Sequence, residues 1–209
     1  MPADRQANLL PPMTAASASD SRREDIRQIA LDLFGRYGYE RTSLRDIAER
    51  AGFTKAALYY HYPTKDALLN DLFAPVIGEG DEIVARHREV RTRAQREALL
   101  SEYFDHLWEH RLLLCHVACD LTVLSTTEVG ARLVLHVDSL ITAIAGSADV
   151  IPRTLAKAAL GALQGTITLS EPDIDVSLTR TLAVKAALAA MQASKTVRQP
   201  SSGARPESS

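Results

Sequence analysis

Several features that mark specialised proteins are scarce or missing in this chain. There are two cysteines, Cys115 and Cys119, too few and too close for a spaced disulfide framework, and nothing else points to an oxidising compartment. Charge of one sign does not predominate: 24 Lys and Arg against 26 Asp and Glu leave a formal charge of −2. The protein as a whole is therefore no polyanion binder, and any nucleic-acid surface must be local. No uncharged apolar run reaches the roughly 18 residues that a membrane helix needs, and the first twenty residues have neither the basic start nor the apolar run of a secretory signal. A cytoplasmic protein with no membrane association is expected. Nucleophile elbows, phosphate loops and the His-Glu-x-x-His zinc pattern are missing too, so neither an enzyme nor a cofactor is expected. Aromatic residues make up only 5%.

Apolar residues at 46% and charged residues at 24% of 209 suit one compact domain, or a small module fused to a larger one, with a real core. Both ends differ in composition from the rest. Residues 1–20, with Pro11, Pro12 and a run of small residues, read as a disordered tail, as do residues 195–209. Between them Ala, Leu, Arg and Glu dominate and no alternating pattern persists, which predicts an all-α protein of about nine helices. Ile26, Ile29, Ala30, Leu33, Phe34 and Tyr37 repeat at helical steps and Gly38 supplies a stop, giving a first helix over 21–38. Ser43 and Asp46 form a capping-box pattern before a short second helix that ends at Gly52. Thr54 caps a third, ending near Tyr60 or His61, and Thr64 caps a fourth that reaches about Arg91, with a kink or break expected near Pro75, Gly78 and Gly80. Further helices are predicted over 93–109, 111–124, 127–145, 152–169 and 174–194, with Asp173 or Asp175 capping the last.

The few aromatics are unevenly placed. "FTKAALYYHYPTKDALL" (53–69) puts Tyr59, Tyr60 and Tyr62 beside Lys55 and Lys65. Two short helices joined at Gly52 and braced by a longer one make a helix-turn-helix, whose second helix fits the major groove with its first residues at base edges. Small Ala56 and Ala57 allow close approach, and Lys55 can donate to guanine or phosphate. The Tyr59 hydroxyl can reach a phosphate, Lys65 opens the fourth helix where the dipole favours an anion, and Thr42 offers a hydroxyl and an N–H. Leu58 and Tyr62 read as packing residues. Arg22 and Arg23 read as a solvated helix start, with a minor-groove arm as the alternative.

Residues 42–69 closely resemble the DNA-binding signature of the TetR family of transcriptional regulators: a Thr-Ser start, "DIA", "AG", a Thr-capped helix, "LYYHY" and a Lys opening the next helix. Two positions depart from that pattern, Ala57 where Thr or Ser is frequent and Tyr62 where Phe is usual. The resemblance implies an all-helical dimeric regulator with an N-terminal DNA-binding domain (21–66) and a larger C-terminal domain (67–194) for effector binding and dimerisation. Carried over by position, the implied DNA contacts are Thr42, Thr54, Lys55, Ala57, Tyr59, Tyr60, His61 and Lys65. It also implies a palindromic double-stranded operator, release of the dimer by a small-molecule effector, and a homodimer formed through the last two helices.

The C-terminal two-thirds is less legible. "TLAKAALGALQGTITL" (154–169) and "SLTRTLAVKAALAAM" (177–191) carry small residues that let helices approach closely. Segment 103–121 gathers polar and aromatic groups, and Tyr103, Leu107, Trp108, Leu114, Cys119, Leu124 and His136 are the expected walls of an effector cavity. His106 and His110 stand one helical turn apart, a spacing that could hold a metal. No metal ligands are assigned on that ground; a metal-responsive regulator of the same fold and a helical metal-dependent enzyme are the alternatives, with a scaffold protein as a third.

Overall fold

The computed structural model describes residues 15–118, 121–169 and 174–193. The helices are α1 (Ala15–Tyr37), α2 (Leu44–Ala51), α3 (Lys55–His61), α4 (Lys65–Arg86) and α5 (Arg93–Glu109). A short α6 (Arg111–Leu113) runs into a π-helical turn (Leu114–Ala118), followed by α7 (Leu121–Thr126), α8 (Glu128–Ala145), α9 (Val150–Thr168) and α10 (Val176–Gln192). No strand occurs among the described residues, as the sequence predicts, and no single described helix is long and apolar enough to cross a membrane.

Local chemistry sets most of the boundaries. Ser43 caps α2 through the Asp46 N–H, and the Asp46 carboxylate accepts from the Ser43 N–H at 2.8 Å, the reciprocal arrangement expected. Donation from the Ser43 hydroxyl at 2.7 Å, followed by that from its N–H, holds the Asp46 carboxyl below its usual range. Gly52 ends α2 at φ 69°, a left-handed conformation that costs glycine little. Thr54, Thr64 and Asp175 cap α3, α4 and α10 as expected; Asp173 lies outside the described residues.

Three expectations need correction. α1 already starts at Ala15, inside the stretch read as a tail. α4 runs unbroken through Pro75 and stops at Arg86, not Arg91. Leu72, Phe73, Val76 and Ile77 around the proline are all buried, and their packing fixes the helical path despite the missing N–H. The helix expected over 111–124 is divided by the π-helical turn, where Leu113 and Val117 enter one hydrophobic core while Leu114 packs against two.

Those two cores organise the molecule. The first joins α1–α3 to the N-terminal half of α4 and to Leu113, Val117, Val123, Val129 and Leu133. The second joins the C-terminal half of α4 to α5, α8, α9 and α10. The helix-turn-helix therefore shares its core with residues well beyond 66, the boundary expected between domains.

Gly80 sits on α4 where one core gives way to the other. A Cβ there would lie 2.6 Å from His136 Cε1 and 3.3 Å from His106 Nε2. The His136 ring cannot easily retreat, because Nδ1 is 2.6 Å from Asp81 and Nε2 is 2.9 Å from the Tyr103 hydroxyl. Gly80→Ala is therefore expected to destabilise by about 1–3 kcal/mol through overpacking, read from the urea midpoint, although alanine is the better helix former.

Candidate nucleic-acid interface

α3 stands out from the surface by the contrast between its two faces. Leu58 and Tyr62 are buried, as expected, whereas Thr54, Lys55, Ala56, Ala57, Tyr59 and Tyr60 are all exposed. Tyr60 is 85% exposed, far beyond what packing alone would leave for so large an apolar ring. The Lys55 ammonium lies 5.5 Å from the centre of the Tyr59 ring, one turn along the helix, so charge and hydroxyl point from the same strip. Thr54 Oγ1 accepts from the Ala57 N–H at 3.1 Å and keeps its own proton to donate outward. His61 is half-buried, edge-on to Tyr60. It lines a hollow of about 310 Å³ with Arg22, Gly52, Phe53, Thr54 and Ala57.

α3 is held at that angle by groups that sequence reasoning missed. The Tyr62 hydroxyl donates to Asp71 Oδ2 at 2.5 Å, and Arg23 donates to Asp71 Oδ1 at 3.0 Å while lying over the Tyr62 ring. Burial, followed by the bond to Asp71, pushes the Tyr62 phenol above its usual value. One carboxylate on α4 thus ties the end of α3 to α1. The departure from Phe at position 62 now has a physical use, since the extra oxygen carries this bond. Arg23 is accordingly a brace instead of a solvated start, while Arg22 stays exposed beside the hollow. No spacing rule links Arg23 to Asp71 across 48 residues, so no local signal could have revealed the pair.

Two expected contact residues are differently employed. Thr42 is 3% exposed; its hydroxyl donates towards Gly38 O at 2.9 Å, and its N–H donates to Tyr39 O. Neither group is offered to a ligand, because the turn after α1 needs both to satisfy carbonyls left free by the helix end. Lys65 is half-buried, with Nζ 2.8 Å from Tyr39 O and 4.1 Å from the centre of the Tyr39 ring. The Tyr39 hydroxyl in turn donates to Asp66, and burial drives that phenol far above its usual value. Lys65 and Asp66 therefore clamp the start of α4 to the turn between α1 and α2.

The expected cavity walls fare differently again. Tyr103 and Leu107 are buried among neighbours, with Tyr103 bonded to His136, while His136 lines a hollow of about 200 Å³ with Ile77, Asp81, Arg132, Leu135 and Ser139. Trp108 stacks on Phe104 with Arg111 over its ring, and Leu114 is half-buried. Cys119 lies outside the described residues, and Leu124 is described only as part of the α7 backbone. A groove of about 540 Å³ does open between the end of α4 and α8, lined by Val84, Arg88, Val90, Asp138 and Thr142 among others. None of the seven expected wall residues lines it.

A family model for bacterial regulatory proteins of the tetR family matches residues 26–72, the segment that builds this interface. The HTH-type transcriptional repressor KstR2 of Rhodococcus jostii (strain RHA1) is 29% identical over 100 residues, covering 46% of this chain and 48% of that protein. The HTH-type transcriptional regulator RutR of Escherichia coli (strain K12) is 41% identical over 51 residues, 24% of each chain. The chain thus spans about half, or less, of the curated relatives it matches. A TetR-family transcriptional regulator from Bordetella parapertussis 12822 superposes with a TM-score of 0.64 at 18% identity, covering 85% of this chain and 98% of that one. Mycobacterium smegmatis AmtR does so with a TM-score of 0.58 at 23% identity, covering 91% and 99%. At such identities the structural likeness establishes the fold alone. Residues 26–72 thus form a DNA-binding segment of the tetR family of bacterial regulatory proteins, and the chain as a whole has the fold of TetR-family structures.

Removing the Lys65 ammonium while keeping its stem should expose its role as a clamp. Lys65→Met is expected to lower folding stability by about 1–2 kcal/mol, from the lost charged hydrogen bond and ring contact. Urea denaturation without any DNA present is the check; an unchanged midpoint would return Lys65 to a purely external role.

Proposed function

We propose that this protein represses transcription in the cytoplasm by binding a palindromic double-stranded operator as a homodimer, and that a small-molecule effector releases it. The observation that carries this reading is the exposed strip of α3, where Thr54, Lys55, Ala57, Tyr59 and Tyr60 stand clear of the protein on a buttressed helix. Lys55 and the hydroxyls of Thr54, Tyr59 and Tyr60 serve as donors to phosphate or base edges, while Ala57 admits the backbone closely and meets a thymine methyl. His61 borders the strip at its C-terminal end. Thr42 and Lys65 act at one remove, by positioning the helix. The names of the curated relatives, a repressor and a regulator, agree with this reading, and no reaction is invoked for the chain.

Dimerisation is supported by the outward faces of α9 and α10. Ala158 and Gly161 on α9 are exposed, and a Cβ at Gly161 or Gly165 would meet no atom within 4 Å. Leu178 and Leu182, one turn apart on α10, are each 56% exposed. Small residues beside leucines suit close packing of a second copy of the same two helices. Two reading helices held roughly 34–36 Å apart then meet successive major grooves on one side of the duplex. Effector entry is placed at the groove between α4 and α8, where a bound molecule would bear on the helix that carries the reading module.

Selection of bound duplexes from a random pool tests the reading, and two half-sites spaced by one helical turn are the expected product. Lys55→Ala should lower the slope of log affinity against log salt by about 1 if it meets phosphate, whereas Ala57→Thr should change the preferred half-site. Failure to enrich any sequence would overturn the proposal. The double variant Gly161→Glu with Leu182→Glu should sediment as a monomer and lose operator affinity while its helical signal persists.

A further inference from the structure

The seam between the two cores carries a group of side chains that DNA reading does not use. Glu79 on α4 faces His106 on α5 and His110 at the C-cap of that helix, and one ligand atom from each lies within 4.8 Å of the others. Glu79 Oε2 is 2.9 Å from His110 Nε2 and 3.5 Å from His106 Nδ1. Zinc binds imidazole nitrogen and carboxylate oxygen at about 2.0–2.2 Å, which spaces neighbouring ligand atoms about 3–3.5 Å apart, so the set is close to a coordination shell already. We propose that Glu79, His106 and His110 form a binding site for one divalent first-row transition ion, of the zinc class, that bridges α4 and α5.

One further observation supports it. His106 is 5% exposed, and its Nε2 is a buried nitrogen with no hydrogen-bond partner, an arrangement that calls for an explanation in a protein interior. With Nδ1 on the metal, Nε2 carries the proton and faces the space beside Gly80 that it shares with His136. The Asp81–His136–Tyr103 chain borders that space. Gly80 is what lets α4 approach it so closely, since any side chain would occupy the same space.

The set offers two imidazoles and one carboxylate and leaves positions for water or a ligand. This distinguishes it from a closed four-ligand structural site, and hard ions such as magnesium would discriminate against its nitrogens. The site stands whether or not the chain reads DNA, because none of its ligands lies in α3.

The test uses the untagged full chain stripped with a chelator and titrated with Zn²⁺ by calorimetry, with Co²⁺ as a spectroscopic probe. One ion per chain is expected, with a cobalt spectrum lacking thiolate charge transfer. His110→Ala and Glu79→Gln should each weaken binding by roughly tenfold or more. Both residues are partly or fully exposed, so these variants should keep the wild-type helical signal even if His106→Ala does not fold. No zinc uptake by the stripped wild type, or wild-type affinity in both surface variants, would overturn the proposal. A thiolate band in the cobalt spectrum would also do so, by moving the ion to Cys115 or Cys119.

Discussion

The structure depends on α4 belonging to two hydrophobic cores at once. Leu68, Leu69, Leu72, Phe73, Val76 and Ile77 complete the core of the helix-turn-helix, and less than two turns later Ile83 enters the core of the C-terminal bundle. A three-helix module of about fifty residues buries little apolar surface by itself, and borrowing half of a long helix is how this one gains enough. The same arrangement makes α4 the mechanical link between the reading surface and everything C-terminal to it. Packed cores are not freely deformable, so a shift of α4 relative to α5 or α8 has to move α1–α3 with it.

Polar contacts then fix how that link is attached. At its start, Lys65 and Asp66 grip Tyr39, and Asp71 collects Tyr62 and Arg23. At its middle, Glu79 and Asp81 meet the histidines of α5 and α8 across Gly80. These groups do not add to the exposed strip of α3, but they determine where the strip points. Reading a groove requires an angle as well as a set of donors, and an angle is set by what a helix is bolted to. The interior histidines are a separate matter, since neither His106 nor His136 lies in α3.

Much of the reading module was legible because its signals are local. Caps at Ser43, Thr54 and Thr64, the glycine stop at Gly52 and the three- and four-residue apolar steps each act within one turn, and each appears where it was expected. The outward face of α3 followed in turn, since burying Leu58 turns Ala56 and Tyr60 to the opposite side and leaves Lys55 and Tyr59 on its flank. Thr42 and Lys65, expected at a ligand, each bond a carbonyl of the protein itself. A hydroxyl or an ammonium beside a helix end suits an outside phosphate and an inside carbonyl equally well, and only the path of the chain through Gly38 and Tyr39 decides between them. Tyr103 and His136 were expected as cavity walls, and which of them borders a hollow depends on how closely α4 approaches.

Sequence alone determined α2 and α3, the caps at Ser43, Thr54 and Thr64, and the residues that α3 would present, because those follow from interactions spanning three or four positions. Tertiary structure alone decided that Asp71 would hold Arg23 and Tyr62, that Pro75 would leave α4 unbroken, and that Glu79 would meet His106 and His110. Each of these is a meeting of elements far apart in the chain, or an outcome of packing around them. Such meetings depend on the summed fit of two cores and the absence of one Cβ at Gly80, which no periodicity along the chain encodes.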